Sequence, residues 1–175
     1  MRRRKPGWGK GKPREPLESC LKNAFKRQIW ILHVNAYPDA NIYITYLMGQ
    51  RGEELAGKFF KQGIGCRFSI VASNTMFAEV AQRCGESAKI LLQKNIDDLR
   101  NAGKLEIIEK TPEETRESVD MAVKVDGNFG RNDMLHTILA KKYADIFVTN
   151  DRKLAEFASK TQKAMSLEAF VESEP

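Results

Sequence analysis

The sequence predicts an α/β domain built in three layers, a central and mostly parallel β-sheet flanked by helices. From residue 29 onward, short apolar runs alternate with longer amphipathic stretches, as expected for parallel strands joined by crossover helices. The links between these segments are short, which also favours sequential strand–helix units. The length of 175 residues and the hydrophobic content of 42% fit one domain with a sizeable core.

The elements follow from the local pattern. Strands are expected where β-branched and aromatic residues cluster in short runs, at 29–37, 67–72, 104–109 and 145–149. Helices are expected where apolar residues recur at helical spacing, at 40–48, 53–62, 75–84, 86–101, 113–125, 133–143 and 151–159. The segment DGNFGRN predicts a loop before the helix at 133–143, and KAMSLEAF near the end predicts a last short strand and helical turn.

The first 28 residues differ in charge from the rest of the chain. Residues 1–28 hold ten Lys and Arg against two Glu, a net of +8, whereas residues 29–175 hold 19 basic and 21 acidic side chains, a net of −2. We therefore divide the chain into a basic arm with a short amphipathic helix that begins near Pro16, and a globular domain at 29–175. The arm suggests a polyanionic partner, with nucleic acid the leading candidate, and its helix is expected to dock on the domain or on a second subunit.

Other features exclude several classes of protein. No apolar stretch approaches the length of a transmembrane helix, and the N-terminus lacks the apolar segment of a secretory signal. Cys20, Cys66 and Cys84 are scattered without the spacing of a zinc site or a disulfide framework. GWGKGK does not follow a strand, so it is not a phosphate-binding loop. We expect a cytoplasmic protein without a membrane partner.

Four acidic residues fall where a parallel α/β sheet usually binds its ligand, outside the C-terminal ends of the strands. Asp39 and Asp151 lie just after predicted strands, Glu79 lies just over one turn into the helix after the second strand, and Asp133 opens a late helix. Asp145 stands at the beginning of the last of these strands and should therefore lie at the opposite end of the sheet.

Each acid also has a structural interpretation. Asp39 and Asp151 suit helix N-caps, Asp133 suits the first turn of a helix, and Glu79 suits a surface ion pair with Arg83 four residues on. Four independent roles that converge on one sheet edge are less expected than one shared role. Carboxylates that share a hollow repel one another and require a cation. Mg²⁺ and Mn²⁺ prefer such oxygen ligands, and a pair of these ions can clamp a phosphodiester for attack by water.

At these residues the sequence resembles the PIN-domain nuclease family, particularly the small VapC-like ribonuclease toxins. The similar segments are DANI at 39–42, TMFAEV at 75–80, NDMLH at 132–136 and VTND at 148–151. They occur in the order and spacing of the family, and the resemblance covers about residues 29–171.

The resemblance implies a fold, a site and an activity. The fold would be PIN-like, and the activity would be endoribonuclease cleavage that leaves 5′-phosphate and 3′-hydroxyl ends. Mg²⁺ or Mn²⁺ would be positioned for catalysis by Asp39, Glu79, Asp133 and Asp151, with support from Asn41, Thr149 and Asn150. The family also implies a homodimer and a role as the toxin of a toxin–antitoxin pair, with an antitoxin protein as partner.

Nucleic-acid contacts are assigned to cations of the arm, to one aromatic residue that could stack on a base, and to two arginines beside the acids. These residues are Arg2, Arg3, Arg4, Lys5, Trp8, Lys10, Lys12, Arg131 and Arg152. For the two arginines, solvated surface charge is an equal alternative, and His136 is interpreted as a partly buried structural histidine. The rival to a nuclease is a non-catalytic module that binds nucleic acid or protein on a PIN-like scaffold.

Overall fold

The computed structural model describes residues 34–65, 67–125 and 129–173. The predicted basic arm, its nucleic-acid-binding residues and its helix lie outside these ranges. The strands are β1 (Asn35–Pro38), β2 (Ser69–Ser73), β3 (Leu105–Ile108), β4 (Ile146–Thr149) and β5 (Ala164–Ser166). The helices are α1 (Ala40–Leu47), α2 (Glu53–Ile64), α3 (Asn74–Asn101), α4 (Pro112–Lys124), α5 (Arg131–Tyr143), α6 (Arg152–Ala158) and α7 (Leu167–Glu172).

The five strands form one sheet in the order β3-β2-β1-β4-β5, and every pairing in it is parallel. The predicted α/β class with a parallel central sheet is therefore confirmed. The chain builds β1, β2 and β3 outward on one side and then crosses to β4 and β5 on the other. The direction of winding thus reverses between β1 and β4, which is where sheets of this type bind their ligands.

Helices cover the sheet on both faces. Adjacent residues of β1 point in opposite directions, and Ala36 packs in one core cluster while Tyr37 packs in the other. The first cluster includes aromatic rings of α2, of α7 and of Phe68, the residue before β2. The centroid of the Phe59 ring lies 4.9 Å from that of Phe68 and 5.6 Å from that of Phe170. The central strands therefore lie between two buried clusters, one on each face of the sheet.

Several boundaries differ from the sequence-based expectation. β1 continues through Pro38, which is tolerated because β1 pairs with β2 only at Asn35 and Ala36, so no ladder bond to β2 is lost there. The two helices expected at 75–84 and 86–101 lie within α3, joined at Gly85 with φ 71° and ψ −178°. α5 begins two residues earlier than expected, at Arg131.

α4 begins with a capping box in which Thr111 accepts from the Glu114 backbone and Glu114 accepts from the Thr111 backbone. Other features agree with the sequence-based expectation. The strand and helical turn expected in KAMSLEAF are β5 and α7. Within the described residues, no helix combines the length and apolar character needed to cross a bilayer.

Candidate active site

Asp39 lies at the C-terminal end of β1, on the central seam of the sheet. Its side chain is 2% exposed, and its backbone N–H donates to the Val148 carbonyl of β4 at 2.8 Å. The Oδ2 atom accepts hydrogen bonds from Thr149 Oγ1 at 2.8 Å and Asn41 Nδ2 at 3.1 Å. Asp39 occupies the N-cap position of α1, but its side chain makes no capping bond. The N-cap interpretation therefore does not account for this carboxylate.

Thr149 connects Asp39 to the next element of the chain. Its hydroxyl group, fully buried, donates to Asp39 and accepts from the Asp151 backbone N–H at 3.0 Å. Asp151 itself is exposed, and its Oδ1 accepts from the backbone N–H groups of Lys153 at 2.8 Å and Leu154 at 3.1 Å. The Asp151 side chain is thus a helix cap as the protein stands, beside the site through the Thr149 hydroxyl. Asn150 is exposed and donates to Thr45 Oγ1 at 3.5 Å.

Glu79 projects from α3 toward α5. Its side chain is 12% exposed. Its Oε2 accepts from Asn132 Nδ2 at 3.1 Å and lies 3.3 Å from His136 Nε2, while its Oε1 pairs with the Arg83 guanidinium at 3.3 Å. The surface ion pair expected from the sequence is present, but it is only one of three contacts that fix this carboxylate.

Asp133 lies in the first turn of α5 and is partly buried. Its Oδ2 accepts from the Gly130 backbone N–H at 2.7 Å, which satisfies one free donor of the helix N-terminus. Because α5 carries Asn132 and His136 as well, this one helix supplies the Asp133 carboxylate to the site and two side chains that contact Glu79. Gly130 has no side chain, so the bond runs only from its backbone to Asp133.

Electrostatics tie these residues into one site. Burial raises the pKa of Asp39, His136 and the Thr149 hydrogen bond act against that rise, and the Asp133 carboxylate adds to it. The hydrogen bond from His136 is the main reason that the pKa of Glu79 is lowered, although burial opposes it. Burial also raises the pKa of Tyr37, and both Asp39 and Glu79 contribute to that rise. Ionisable residues at the end of β1, in α3 and in α5 are therefore close enough to affect one another's pKa.

The donor atoms suit a hard divalent cation, although they do not form a closed shell. Among the described residues, no three His, Cys, Asp or Glu side chains are grouped so that they could hold a metal ion as they stand. The hydrogen bonds of Asp39, Asp133 and Asp151 all fall on one oxygen of each carboxylate. The second oxygen of each makes no hydrogen bond to another described residue. Such oxygens are the ligands that Mg²⁺ and Mn²⁺ prefer.

Of the comparisons with known proteins, the one with solved structures finds a match. No protein-family model matches the chain, and no curated protein matches it. Among solved structures, it is similar to the crystal structure of PAE2754 from Pyrobaculum aerophilum, with a TM-score of 0.49 and 16% sequence identity. The match covers 79% of this chain and 94% of that one. A likeness this distant says nothing about activity.

The remaining predicted residues are solvent-facing. Arg131 is exposed, and Arg152, whose side chain is 91% exposed, donates to Glu156 at 3.1 Å within its own helix. Asp145 accepts from the Asn35 backbone N–H at 2.8 Å, at the start of β1, which confirms that it lies at the other end of the sheet.

The sequence interpretation missed contacts that two residues make in the site. His136 is 1% exposed rather than partly buried, and it contacts both Glu79 and Tyr37. Arg83 reaches past Glu79 to Asn41 Oδ1 at 3.5 Å. The spacing of Arg83 four residues after Glu79 signalled the ion pair, but the contacts with Tyr37 and Asn41 join distant segments and leave no local signal.

Proposed function

We propose that this protein is a metal-dependent nuclease that hydrolyses phosphodiester bonds in RNA. The observation that carries the proposal is the buried Asp39 carboxylate at the C-terminal end of β1. It is held by Thr149 of β4 and lies within electrostatic reach of Asp133 and His136. This is the position at which parallel α/β sheets bind ligands.

The energetics of Asp39 support a functional role. Burial raises the pKa of Asp39 by more than His136 and the hydrogen bonds from Thr149 and Asn41 lower it, and the nearby Asp133 is a like charge. An ionised carboxylate whose burial is only partly compensated weakens the fold, and such groups cluster at functional sites. A bound divalent cation would supply the missing positive charge.

The residues then have distinct roles. Asp39, Glu79, Asp133 and Asp151 would hold Mg²⁺ or Mn²⁺, and the bound metal would activate water and stabilise the negative charge that develops on the oxygens around phosphorus. Thr149 orients Asp39 through its hydrogen bond, with Asn41 as the second donor to the same oxygen and Asn150 beside them.

The choice of RNA as substrate draws on the resemblance of four segments to the PIN-domain nucleases. The basic arm, Arg131 and Arg152 would contribute attraction for the phosphate backbone that does not depend on base sequence. A role as a toxin with a protein antitoxin, and assembly as a homodimer, belong to the same proposal. Size-exclusion chromatography with light scattering tests the dimer directly.

The test is a cleavage assay with two matched variants. Purified protein is incubated with single-stranded and structured RNAs in Mn²⁺, Mg²⁺ or EDTA, and the product ends are mapped. We expect metal-dependent products with 5′-phosphate and 3′-hydroxyl ends. Asp133→Asn should abolish cleavage while RNA binding persists, whereas Asp145→Asn, at the opposite end of the sheet, should cut like the parent. Equal cleavage by Asp133→Asn in Mn²⁺ would show that the site is assigned wrongly.

A second function is favoured by one observation. All four carboxylates already accept hydrogen bonds from protein donors, and among the described residues no metal-holding group of three is formed. This arrangement would also suit a non-catalytic module that binds nucleic acid or protein. RNA binding that is indifferent to EDTA, with no products from any RNA tested, would favour that alternative.

A further inference from the structure

We infer that Ser73, Tyr37 and His136 form a hydrogen-bond relay that runs in one direction and holds His136 as its neutral Nε2–H tautomer, so that it donates to Glu79. Tyr37 and His136 are then positioning residues for the Glu79 carboxylate. The consequence for metal binding and cleavage rests on the proposed function, whereas the tautomer of His136 does not.

The relay is continuous and closed to solvent. The Met76 backbone N–H donates to Ser73 Oγ at 3.1 Å, and Ser73 Oγ lies 2.9 Å from the Tyr37 hydroxyl. The Tyr37 hydroxyl lies 2.9 Å from His136 Nδ1, and His136 Nε2 lies 3.3 Å from Glu79 Oε2. Ser73 and Tyr37 are 0% exposed and His136 is 1% exposed, so water does not supply the missing partners.

Counting protons gives the direction. Ser73 Oγ already accepts from Met76, so its own proton can go to the Tyr37 oxygen. The Tyr37 hydroxyl donates its own proton to His136 Nδ1. The remaining proton of a neutral imidazole must be on Nε2, where the Glu79 carboxylate accepts it. In this arrangement every donor has an acceptor, as buried polar groups generally do.

The other two protonation states leave a buried polar atom without a suitable hydrogen-bond partner. With the proton on Nδ1 alone, the lone pair of His136 Nε2 would face the Glu79 carboxylate, which has no proton to offer. With both nitrogens protonated, Nδ1 would donate to Tyr37 and Tyr37 would donate to Ser73 Oγ. The Ser73 proton would then have no acceptor among the described residues, inside a fully buried site.

The end of the relay is a carboxylate of the candidate active site. Glu79 Oε2 receives the His136 proton and the Asn132 amide, which leaves Oε1 facing Arg83. The relay therefore decides which Glu79 oxygen points inward and which points toward the rim. Outer partners of this kind typically change metal affinity by about 10–100-fold when they are removed from the ligand they orient.

The test reads the imidazole directly by NMR of protein labelled with ¹⁵N-histidine. The chain has two histidines, and His33→Gln leaves His136 as the only source of signal. At neutral pH we expect the two ring nitrogens of His136 to show the pattern of a neutral Nε2–H imidazole. Tyr37→Phe keeps the aromatic ring but removes the proton given to Nδ1, so the signals should shift toward a mixture of tautomers.

Tyr43→Phe is the matched control. Tyr43 is also fully buried, but its hydroxyl has no hydrogen-bond partner among the described residues, so the His136 signals should not change. Circular dichroism and thermal unfolding establish that both variants are folded. A parent protein with His136 in the Nδ1–H form, or a folded Tyr37→Phe variant whose His136 signals equal those of the parent, would overturn the relay.

A second measurement joins the relay to the proposed function. Calorimetric titration of Mn²⁺ should show about 10–100-fold weaker binding for Tyr37→Phe than for Tyr43→Phe. Equal Mn²⁺ affinity in the two variants would refute the positioning role. A parent protein that binds no Mn²⁺ and cuts no RNA would refute the proposed function, and the NMR result would still decide the relay.

Discussion

Replacing Asp39 by Asn should make the protein more stable while it removes the proposed activity. The asparagine keeps an oxygen that can accept from Thr149 and Asn41, so both hydrogen bonds persist. What is lost is a charge whose side chain is 2% exposed. Desolvation of an ionised carboxylate costs several kcal/mol, and His136 and the two hydrogen bonds offset only part of it. We expect a net gain on the order of 1–3 kcal/mol in the free energy of unfolding at neutral pH.

The pH dependence gives the sign of the effect. The pKa of Asp39 is raised in the folded protein, chiefly by burial, so the folded state binds its proton more tightly than the unfolded chain does. The parent therefore loses stability as pH rises through that raised pKa. The advantage of Asp39→Asn should be small below the ordinary aspartate pKa of about 4 and should grow toward neutral pH.

The assay is urea unfolding of the parent and Asp39→Asn between about pH 4 and 8, in EDTA and in Mn²⁺. Asp145→Asn controls for the loss of an aspartate at the other end of the sheet. In Mn²⁺ at 100 times its Kd the advantage of the variant should fall by about 2.7 kcal/mol, because the bound ion stabilises the parent and not the variant. A variant less stable than the parent at neutral pH in EDTA, or a difference that does not change with pH, would refute this account of Asp39.

Three further predictions concern other parts of the protein. Arg83→Gln should weaken RNA binding in EDTA, measured by fluorescence anisotropy, because Arg83 contacts Glu79 and Asn41 of the site. The slope of log affinity against log salt concentration should fall by about 1. Arg152→Gln should reduce the affinity and the slope less. Glu114→Gln should lower the free energy of unfolding by about 1–3 kcal/mol in urea, and the deficit should shrink at acid pH. Burial acts to raise the pKa of Glu114, but its hydrogen bonds with Lys142 and the Thr111 backbone outweigh burial, so the pKa is lowered. The stability that the Glu114 carboxylate gives is therefore lost as pH falls. Glu113→Gln, at an exposed position, is the control. Gly85→Ala should cost about 1–3 kcal/mol in the same assay, since its backbone conformation is open essentially only to glycine.

Much of the fold was predictable because its signals are local. Apolar runs that end on Asp39 and Thr149 mark strand ends, and amphipathic stretches mark helices on either face. The position of the acids at the C-terminal edge followed from the rule for parallel sheets. The order of the strands did not, because the pairing of β1 with β4 joins segments whose contact leaves no trace in either one alone.

In the candidate site, too, local features could be predicted and contacts between distant segments could not. Periodicity could not orient His136, because α5 is buried on all sides from Met134 to Ala140 and so presents no polar face there to mark its direction. For Asp151 the sequence left a cap and a metal ligand as alternatives, and only the contacts with Lys153 and Leu154 show that its side chain is a cap here. Local patterns locate these groups along the chain, while their partners come from other elements.

The pairing of β1 with β4 also has a consequence for biosynthesis. The hydroxyl that holds Asp39 belongs to a residue 110 positions later in the chain. A ribosome must therefore translate nearly the whole domain before the pocket can assemble, and any polypeptide truncated ahead of β4 lacks it. If the finished protein cuts RNA, a nascent chain that has not yet reached β4 would lack the complete site and would not cut the messenger from which it is being translated.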